Sequence, residues 1–360
     1  MEQMNDTMGM LDLMIRPAFC VRNGAVIRVN GAAQARYLEV GTPIVPLLIT
    51  GQQEYAEFTD GCLHLMLTVA GESVNASVIR MEDCDVFLLE EDADRAELRA
   101  MALAAQELRV PLASVMTMMD RLLPTLNLSD APNAQEQTAR INRGLFQMLR
   151  LVSNMSDADR YCSAAAHMET REVNALVEEI FTSTGDLHAS TGIEVRYSGL
   201  RDPLYCLVDW EKLERAIFNI LSNAMKFTAR GGIIEGSLTR KGNWLYLSVW
   251  DNGSGIAPEL RGSVFSRFRR EPAIEDGRYG SGLGMVLIRS AAAAHGGTVL
   301  VEQPKDGGTR ITMTIEIRKS TTNTLRTPIL RVDYAGERDH RLIELSESLP
   351  ASLYERNKIN

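Results

Sequence analysis

Between residues 209 and 308, three patterns that each demand a particular backbone follow one another, and they constrain the fold more than anything else in the chain. On a stretch with helical spacing from Asp209, Asn219 and Asn223 stand four apart on one face, and Lys226 follows three later. A side-chain amide oxygen is a hard, neutral donor suited to Mg²⁺, and the lysine can reach a phosphate. Next, Asp251-Asn252-Gly253-Ser254-Gly255-Ile256 directly follows the alternating run Leu245 to Trp250. A carboxylate at a strand end can accept from the exocyclic amine of adenine, and the glycines let the backbone come close to the base. Then Gly280-Ser281-Gly282-Leu283-Gly284 runs into a helix that ends at His295-Gly296-Gly297. Glycine-rich backbone at a helix N-terminus presents N–H groups to a phosphate. Taken singly, each pattern has a plainer reading: a solvated helix face, a tight turn, an ordinary glycine loop. Phe265 and Phe268, with Arg267, Arg269 and Arg270, lie between the last two boxes. They read as a lid with aromatic anchors and phosphate-facing cations, or, for the arginines, as a solvated face.

Upstream, residues 92–124 read as one long helix. Leu98, Ala102, Ala105, Leu108, Leu112, Val115, Met119 and Leu122 fall close to a heptad seam. Pro124, Asn127, Ser129, Asp130 and Pro132 mark a turn, and a second helix is expected over about 134–160, striped by Ile141, Leu145, Met148, Val152 and Met155. Two antiparallel helices cannot bury both stripes alone, so a second copy completing a four-helix bundle is expected. The first segment reads as a short helix and two strands joined at Asn23-Gly24, a helix from Asn30, and alternating strands over 62–69 and 73–90.

Charge and cysteine usage narrow the partners. The chain has 360 residues and a net charge of −9, and residues 1–91 hold five Arg, no Lys and thirteen Asp or Glu. A broad basic face for a nucleic-acid backbone is not expected. The five cysteines are scattered, with no C-x-x-C spacing, which reads as reduced thiols in a cytoplasmic protein without a zinc site. No signal peptide and no apolar run long enough to span a bilayer is expected.

In this order, the boxes Asn219-Ile-Leu-Ser-Asn223-Ala-Met-Lys226, D-N-G-S-G-I, V-F-S-R-F, G-S-G-L-G-M, A-H-G-G and Gly307-Gly308-Thr309 resemble the ATP-binding domain of the GHKL superfamily. The helical hairpin before them is similar to that of sensor histidine kinases. Segment 11–90, with Gly24 to Ala33 similar to G-x-I-x-x-V-N-x-A-A apart from Val26 at the Ile position, resembles a PAS sensor module. The resemblance implies a multidomain α+β chain. A PAS-like sensor domain covers 10–91, the antiparallel hairpin of a dimeric four-helix bundle 92–162, a GHKL-type α/β sandwich 168–318 and a tail 319–360, in which 340–353 reads as a short helix. It further implies ATP and Mg²⁺ as cofactors. Asn223 would hold the metal, Asp251 would read adenine, and Gly253 and Gly255 would border the base. Asn219, Lys226, Phe265, Phe268, Gly280, Gly282, Leu283 and Gly284 would line the rest of the site. The position four before the metal-binding Asn, where ATP-hydrolysing relatives carry a Glu, is Asn219, which cannot act as a general base. That favours the kinase branch.

The acceptor box departs from the family. Gln106-Glu107-Leu108-Arg109-Val110-Pro111-Leu112 is similar to H-E-L-R-T-P-L, with Pro111 five residues after the acceptor position. That position is Gln106. An amide nitrogen has no available lone pair for phosphoryl transfer, so self-phosphorylation there is not expected. Val110 offers no hydrogen bond where the family places Thr or Asn. Glu107 matches the family's base for the acceptor imidazole, and reads here also as a solvated or Arg-paired carboxylate. His64, His167, His188, His295 and His340 all lie off the first hairpin helix. Two functions follow as expectations. One is a Mg-ATP-binding kinase-family protein acting on a partner kinase or through a response regulator. The other is an ATP-gated interaction module without catalysis.

Overall fold

A computed structural model describes residues 11, 14–36, 38–81, 83–90, 92–122, 132–163, 165–257, 264–265, 282–319 and 339–355. The first unit begins with strands β1 (Ala18–Arg22) and β2 (Ala25–Val29). They turn at Asn23 and Gly24, both with positive φ (52° and 76°), the geometry an Asn-Gly hairpin supplies at little cost. Helix α1 (Gly31–Gln34) is capped by Asn30, whose Oδ1 accepts from Ala33 N. The same oxygen accepts from Ala18 N, so the cap also ties the helix to β1. Helix α2 (Gln52–Glu57) and strands β3 (Cys62–Val69), β4 (Glu72–Arg80) and β5 (Asp85–Leu89) follow. The strands lie in the order β2-β1-β5-β4-β3, all antiparallel, around a core that includes stacked Phe19 and Phe87.

Two long antiparallel helices come next, α3 (Asp92–Leu122) and α4 (Pro132–Ser163). Half of the expected heptad positions are buried on α3: Leu98, Ala102, Ala105 and Leu112. Leu108, Val115 and Leu122 stay about half exposed, as do Ile141 and Met148 on α4.

The remaining unit is a sheet with helices on one face. A short strand β6 (Glu169–Glu172) precedes α5 (Val173–Gly185), then come α6 (His188–Thr191), β7 (Glu194–Ser198), β8 (Tyr205–Val208) and α7 (Trp210–Phe227). Strands β9 (Ile233–Lys241) and β10 (Trp244–Asp251), helix α8 (Leu283–Ala294), and strands β11 (Val299–Glu302) and β12 (Thr309–Glu316) complete it. Helical spacing predicts a helix from residue 170. Instead, Glu169–Glu172 pairs with β8, and Glu172 caps α5 by accepting from Asn174 N and Ala175 N. Side-chain capping at 172 stops the helix from extending backward. The order β11-β12-β10-β9-β7 is antiparallel except for the parallel β7–β9 pair. His295 fastens the helix layer. Its Nδ1 donates to Ala291 O (2.7 Å) and its Nε2 accepts from Asp209 N (2.9 Å), a neutral tautomer that burial favours by lowering the imidazole pKa.

The two sheets are continuous. Edge strand β3 pairs with β11, setting Cys62 opposite Val301 and His64 opposite Val299, and so makes one ten-stranded sheet. Gly61, at φ +104°, permits this: a Cβ there would lie 2.1 Å from the Val301 carbonyl oxygen. Glu90 beside β5 and Arg289 on α8 form an ion pair across the junction.

Within the expected tail over 319–360, residues 339–355 carry the short helix expected there and are packed onto the body of the molecule. These residues form helix α9 (His340–Glu344) and a 3-10 turn at Ala351–Tyr354, packed against α4 and α7. Leu342, Ile343, Leu345, Leu349 and Tyr354 are all buried. Burying that apolar set offsets the chain entropy that a free tail would keep. Among the described residues, no helix is long and apolar enough to cross a membrane.

Candidate nucleotide site

The end of β10 meets the end of α7. Asp251 is the last residue of β10, is 5% exposed, and its Oδ1 accepts from Gly253 N at 2.9 Å. Ser254 N donates to Phe227 O, which staples the following loop to the end of α7. The approach is close enough to require glycine: a Cβ on Gly253 would lie 2.5 Å from Phe227 O, and one on Gly308 1.7 Å from Asp251 O. Burial pushes the Asp251 carboxyl up to about 6, against the Gly253 and Thr309 backbone N–H groups that favour its charged form. A buried acceptor with one oxygen held by the loop suits recognition of an amine.

Helix α7 carries the amide face. Asp209 caps it by accepting from Lys212 N (3.2 Å), and Lys226 sits in the last turn, where a cation complements the helix dipole. Asn219 is buried. Its Nδ2 donates to Arg215 O (2.7 Å), and its Oδ1 accepts from Arg150 Nη2 of α4 (3.1 Å). Arg150 Nη1 also donates to Ser222 Oγ (2.8 Å). Burial pulls the Arg150 pKa down to about 10, Glu347 works against that and Arg215 adds to it. Asn223, on the same face, is half-buried.

Helix α8 closes the third side. Gly282 caps it at φ +74° with no side-chain hydrogen bond, so the N-terminus of α8 is formed by glycine backbone. A Cβ on Gly284 would come 2.8 Å from Asn219 Oδ1, so the α8 N-terminus abuts the amide face directly. Leu283, expected to line the ligand, is fully buried and packs with Leu98 of α3 and Ala158 of α4. Phe265, expected as a lid anchor, is buried, with its ring centroid 5.7 Å from that of His64 in the first unit. Phe268, Gly280, Arg267, Arg269 and Arg270 lie outside the described residues.

Among the described residues, no cluster of His, Cys, Asp or Glu could hold a metal by itself. Asn223 offers one neutral amide oxygen, a hard donor that would suit a Mg²⁺ ion whose remaining ligands were water and phosphate oxygens.

Several contributors escaped the motif reading. Lys226 Nζ donates to Glu347 Oε2 of the folded C-terminal segment, and Arg150 Nη1 lies 3.7 Å from the same carboxylate. Burial acts to raise the Glu347 carboxyl, but Arg150 and Lys226 together hold it below the usual carboxylate range. Arg150 had no motif to announce it. The segment did carry a signal: Leu342, Leu345 and Leu349 stand at helical spacing. In the acceptor box, Gln106 and Glu107 are exposed on α3, which continues through Pro111, and Val110 is 75% exposed. Arg109 donates across the hairpin to Ser156 Oγ (3.2 Å).

Comparison with known proteins places the α7, β10 and α8 residues just described in a known domain family. Residues 208–319 match the family described as histidine kinase-, DNA gyrase B-, and HSP90-like ATPase. Sensor histidine kinase WalK of Bacillus subtilis is 28% identical over 330 residues, covering 83% of this chain and 53% of that protein. Sensor protein RstB of Escherichia coli is 33% identical over 208 residues, covering 57% and 46%. The crystal structure of full-length ShkA in complex with AMPPNP is similar in fold, with a TM-score of 0.51 and 24% identity over 62% of this chain and 47% of that one. Residues 208–319 thus carry a histidine kinase-, DNA gyrase B-, and HSP90-like ATPase domain, and the chain is similar to sensor histidine kinases. It spans about half the length of WalK and of RstB.

Proposed function

We propose that this chain is a two-component signalling protein that binds Mg-ATP in the groove between the end of β10, the amide face of α7 and the N-terminus of α8. Asp251 accepts from the adenine amine, Gly253 and Gly255 let the base approach, and Lys226, Gly282 and Gly284 face the phosphates, with buried Asn219 holding Arg150 behind them. Asn223 holds Mg²⁺, which when bound neutralises phosphate charge. The observation that carries the reading is the buried Asp251 carboxylate at the end of β10, held by Gly253 N, in a loop that Ser254 N ties to Phe227 O at the end of α7. The antiparallel order of the first five strands supports a PAS-like sensor module over 10–91. The half-exposed Leu108, Val115, Leu122, Ile141 and Met148 support a dimer in which two hairpins complete a four-helix bundle. The partner is a second copy or a related kinase, and the setting is cytoplasmic.

Gln106 stands where an acceptor imidazole would stand, so the chain does not phosphorylate itself there. It transfers to a histidine on a partner kinase, upstream of a response regulator. A second reading, an ATP-gated interaction module without transfer, is favoured by the joint loss of acceptor chemistry at exposed Gln106 and Val110. Labelled ATP tests both, using this chain, Gln106→His, and either one mixed with candidate kinases. Acid-labile label on Gln106→His alone, or on a mixed partner, supports the kinase reading. Nucleotide binding with no label anywhere supports the gated module. No nucleotide binding at all sinks the common part.

A further inference from the structure

The C-terminal segment 339–355 is far from α4 and α7 in sequence, yet it is anchored to both. Tyr354 is fully buried; its OH donates to Leu342 O (2.7 Å), its carbonyl accepts from Asn142 Nδ2 (3.1 Å), and its ring meets Phe146 edge-on. Arg143 and Gln147 of α4 donate to the carbonyl oxygens of Ser346 and Glu347 at 3.1–3.2 Å, which fixes the backbone beside them. Glu344 is fully buried and paired with Arg215 of α7. With both flanks held, the Glu347 carboxylate is delivered to Lys226, with Arg150 on its other side.

One carboxylate between a lysine and an arginine, next to an amide that is itself hydrogen-bonded to that arginine, is the arrangement a phosphate would occupy. A nucleotide phosphate and Glu347 cannot both take Lys226 without placing two anions a few ångströms apart in a partly buried site, where repulsion is strong. We infer that the α4–α7 groove is a docking surface for the acidic segment 339–355, and that its occupancy excludes nucleotide phosphate: Glu347 is an internal competitor of ATP. The inference rests on the nucleotide reading of the α7 face. It makes the C-terminal segment the element through which nucleotide loading is felt elsewhere, since ATP must displace it from α4, a helix of the hairpin.

The test measures the affinity of the full chain and of Glu347→Gln for a fluorescent, non-hydrolysable ATP analogue with Mg²⁺. Hydrogen exchange of 339–355 is followed in the unaltered chain with and without that analogue. Glu347→Gln should bind roughly tenfold more tightly, the size expected for removing a charged competitor, and saturating analogue should accelerate exchange across 339–355. A distant variant, Tyr354→Ala, should also tighten binding by loosening the anchor. Equal affinities for the unaltered chain and Glu347→Gln, or unchanged exchange across 339–355, would overturn the competition while leaving the nucleotide site intact. Absence of binding by every form would instead overturn the nucleotide reading on which the competition stands.

Discussion

The two ends of the proposed nucleotide groove are built in opposite ways. The adenine end is more local: Asp251, Gly253 and Ser254 lie within four residues, and the backbone of Phe227 and Gly308 closes on them. The phosphate end is assembled across the chain. Arg150 comes from the hairpin, Asn219, Ser222 and Lys226 from α7, and Glu347 from the C-terminal segment. At the first end, geometry follows from glycines that no other residue can replace. At the second, it follows from buried charges that must find partners wherever the fold brings them. A local site tolerates changes elsewhere in the molecule, whereas a dispersed one couples to every element that contributes to it.

The sharpest way to break this contrast is Arg215→Ala. Arg215 binds Glu344, Asp157 Oδ2 (3.0 Å), Asn154 Oδ1 (2.7 Å) and Ser153 Oγ (3.0 Å), joining α4, α7 and α9. Its removal leaves the fully buried Glu344 with only His340 Nε2, at 3.7 Å, among the described cations beside it, and should cost about 3–5 kcal/mol, read as a lower urea midpoint. An unchanged midpoint would mean that the dispersed end is not held by its charges.

Asp251→Asn addresses the local end. It should weaken nucleotide binding by about 1.5–3 kcal/mol, or roughly tenfold to a hundredfold, with little change in the urea midpoint. Calorimetry checks the first effect; equal affinity would remove Asp251 from the site.

Acidity separates binding from stability at the same residue. Because the folded carboxyl titrates near 6 and an unfolded one near 4, Asp251 contributes stability that is full below the unfolded value and lost as pH rises through the folded one. Nucleotide affinity moves the other way, falling as pH drops through about 6 and the acceptor carboxylate is protonated. A binding titration across that range should show the fall in the unaltered chain and not in Asp251→Asn.

The smallest effect belongs to Arg196→Ala. Arg196 pairs with Glu194 and Glu235, but all three are about half exposed, so water replaces the pair. No measurable change in urea midpoint is expected. A clear loss would show that exposure is a poor guide to which charges in this chain hold structure together.

Legibility in the sequence followed the same division. The Asn23-Gly24 hairpin, the alternating strands and both long helices were readable because backbone geometry there depends on near neighbours. So were the placements of Asn219, Asp251 and Gly284. Leu283 was misplaced: its position in the glycine box points to the ligand, but the hairpin packs on α8 and takes it as core. Glu169–Glu172 was misread because a four-residue strand has too little periodicity to compete with the helix beside it. A short helix within 340–353 was readable, but its docking was not, because the charges of 339–355 find their partners on Arg150, Arg215 and Lys226.

The order of elements, the close-approach glycines and the carboxylate that ends β10 were set by residue identity and short-range spacing, since steric limits on φ and the alternation of side chains act over a few positions. The joining of two sheets through β3 and β11, the arginine from α4 against Asn219, and Glu347 on Lys226 were decided only by tertiary packing. Strand edges and buried charges specify that a partner is required but not which one, and the choice is made when the whole chain minimises exposed apolar surface and unpaired charge together.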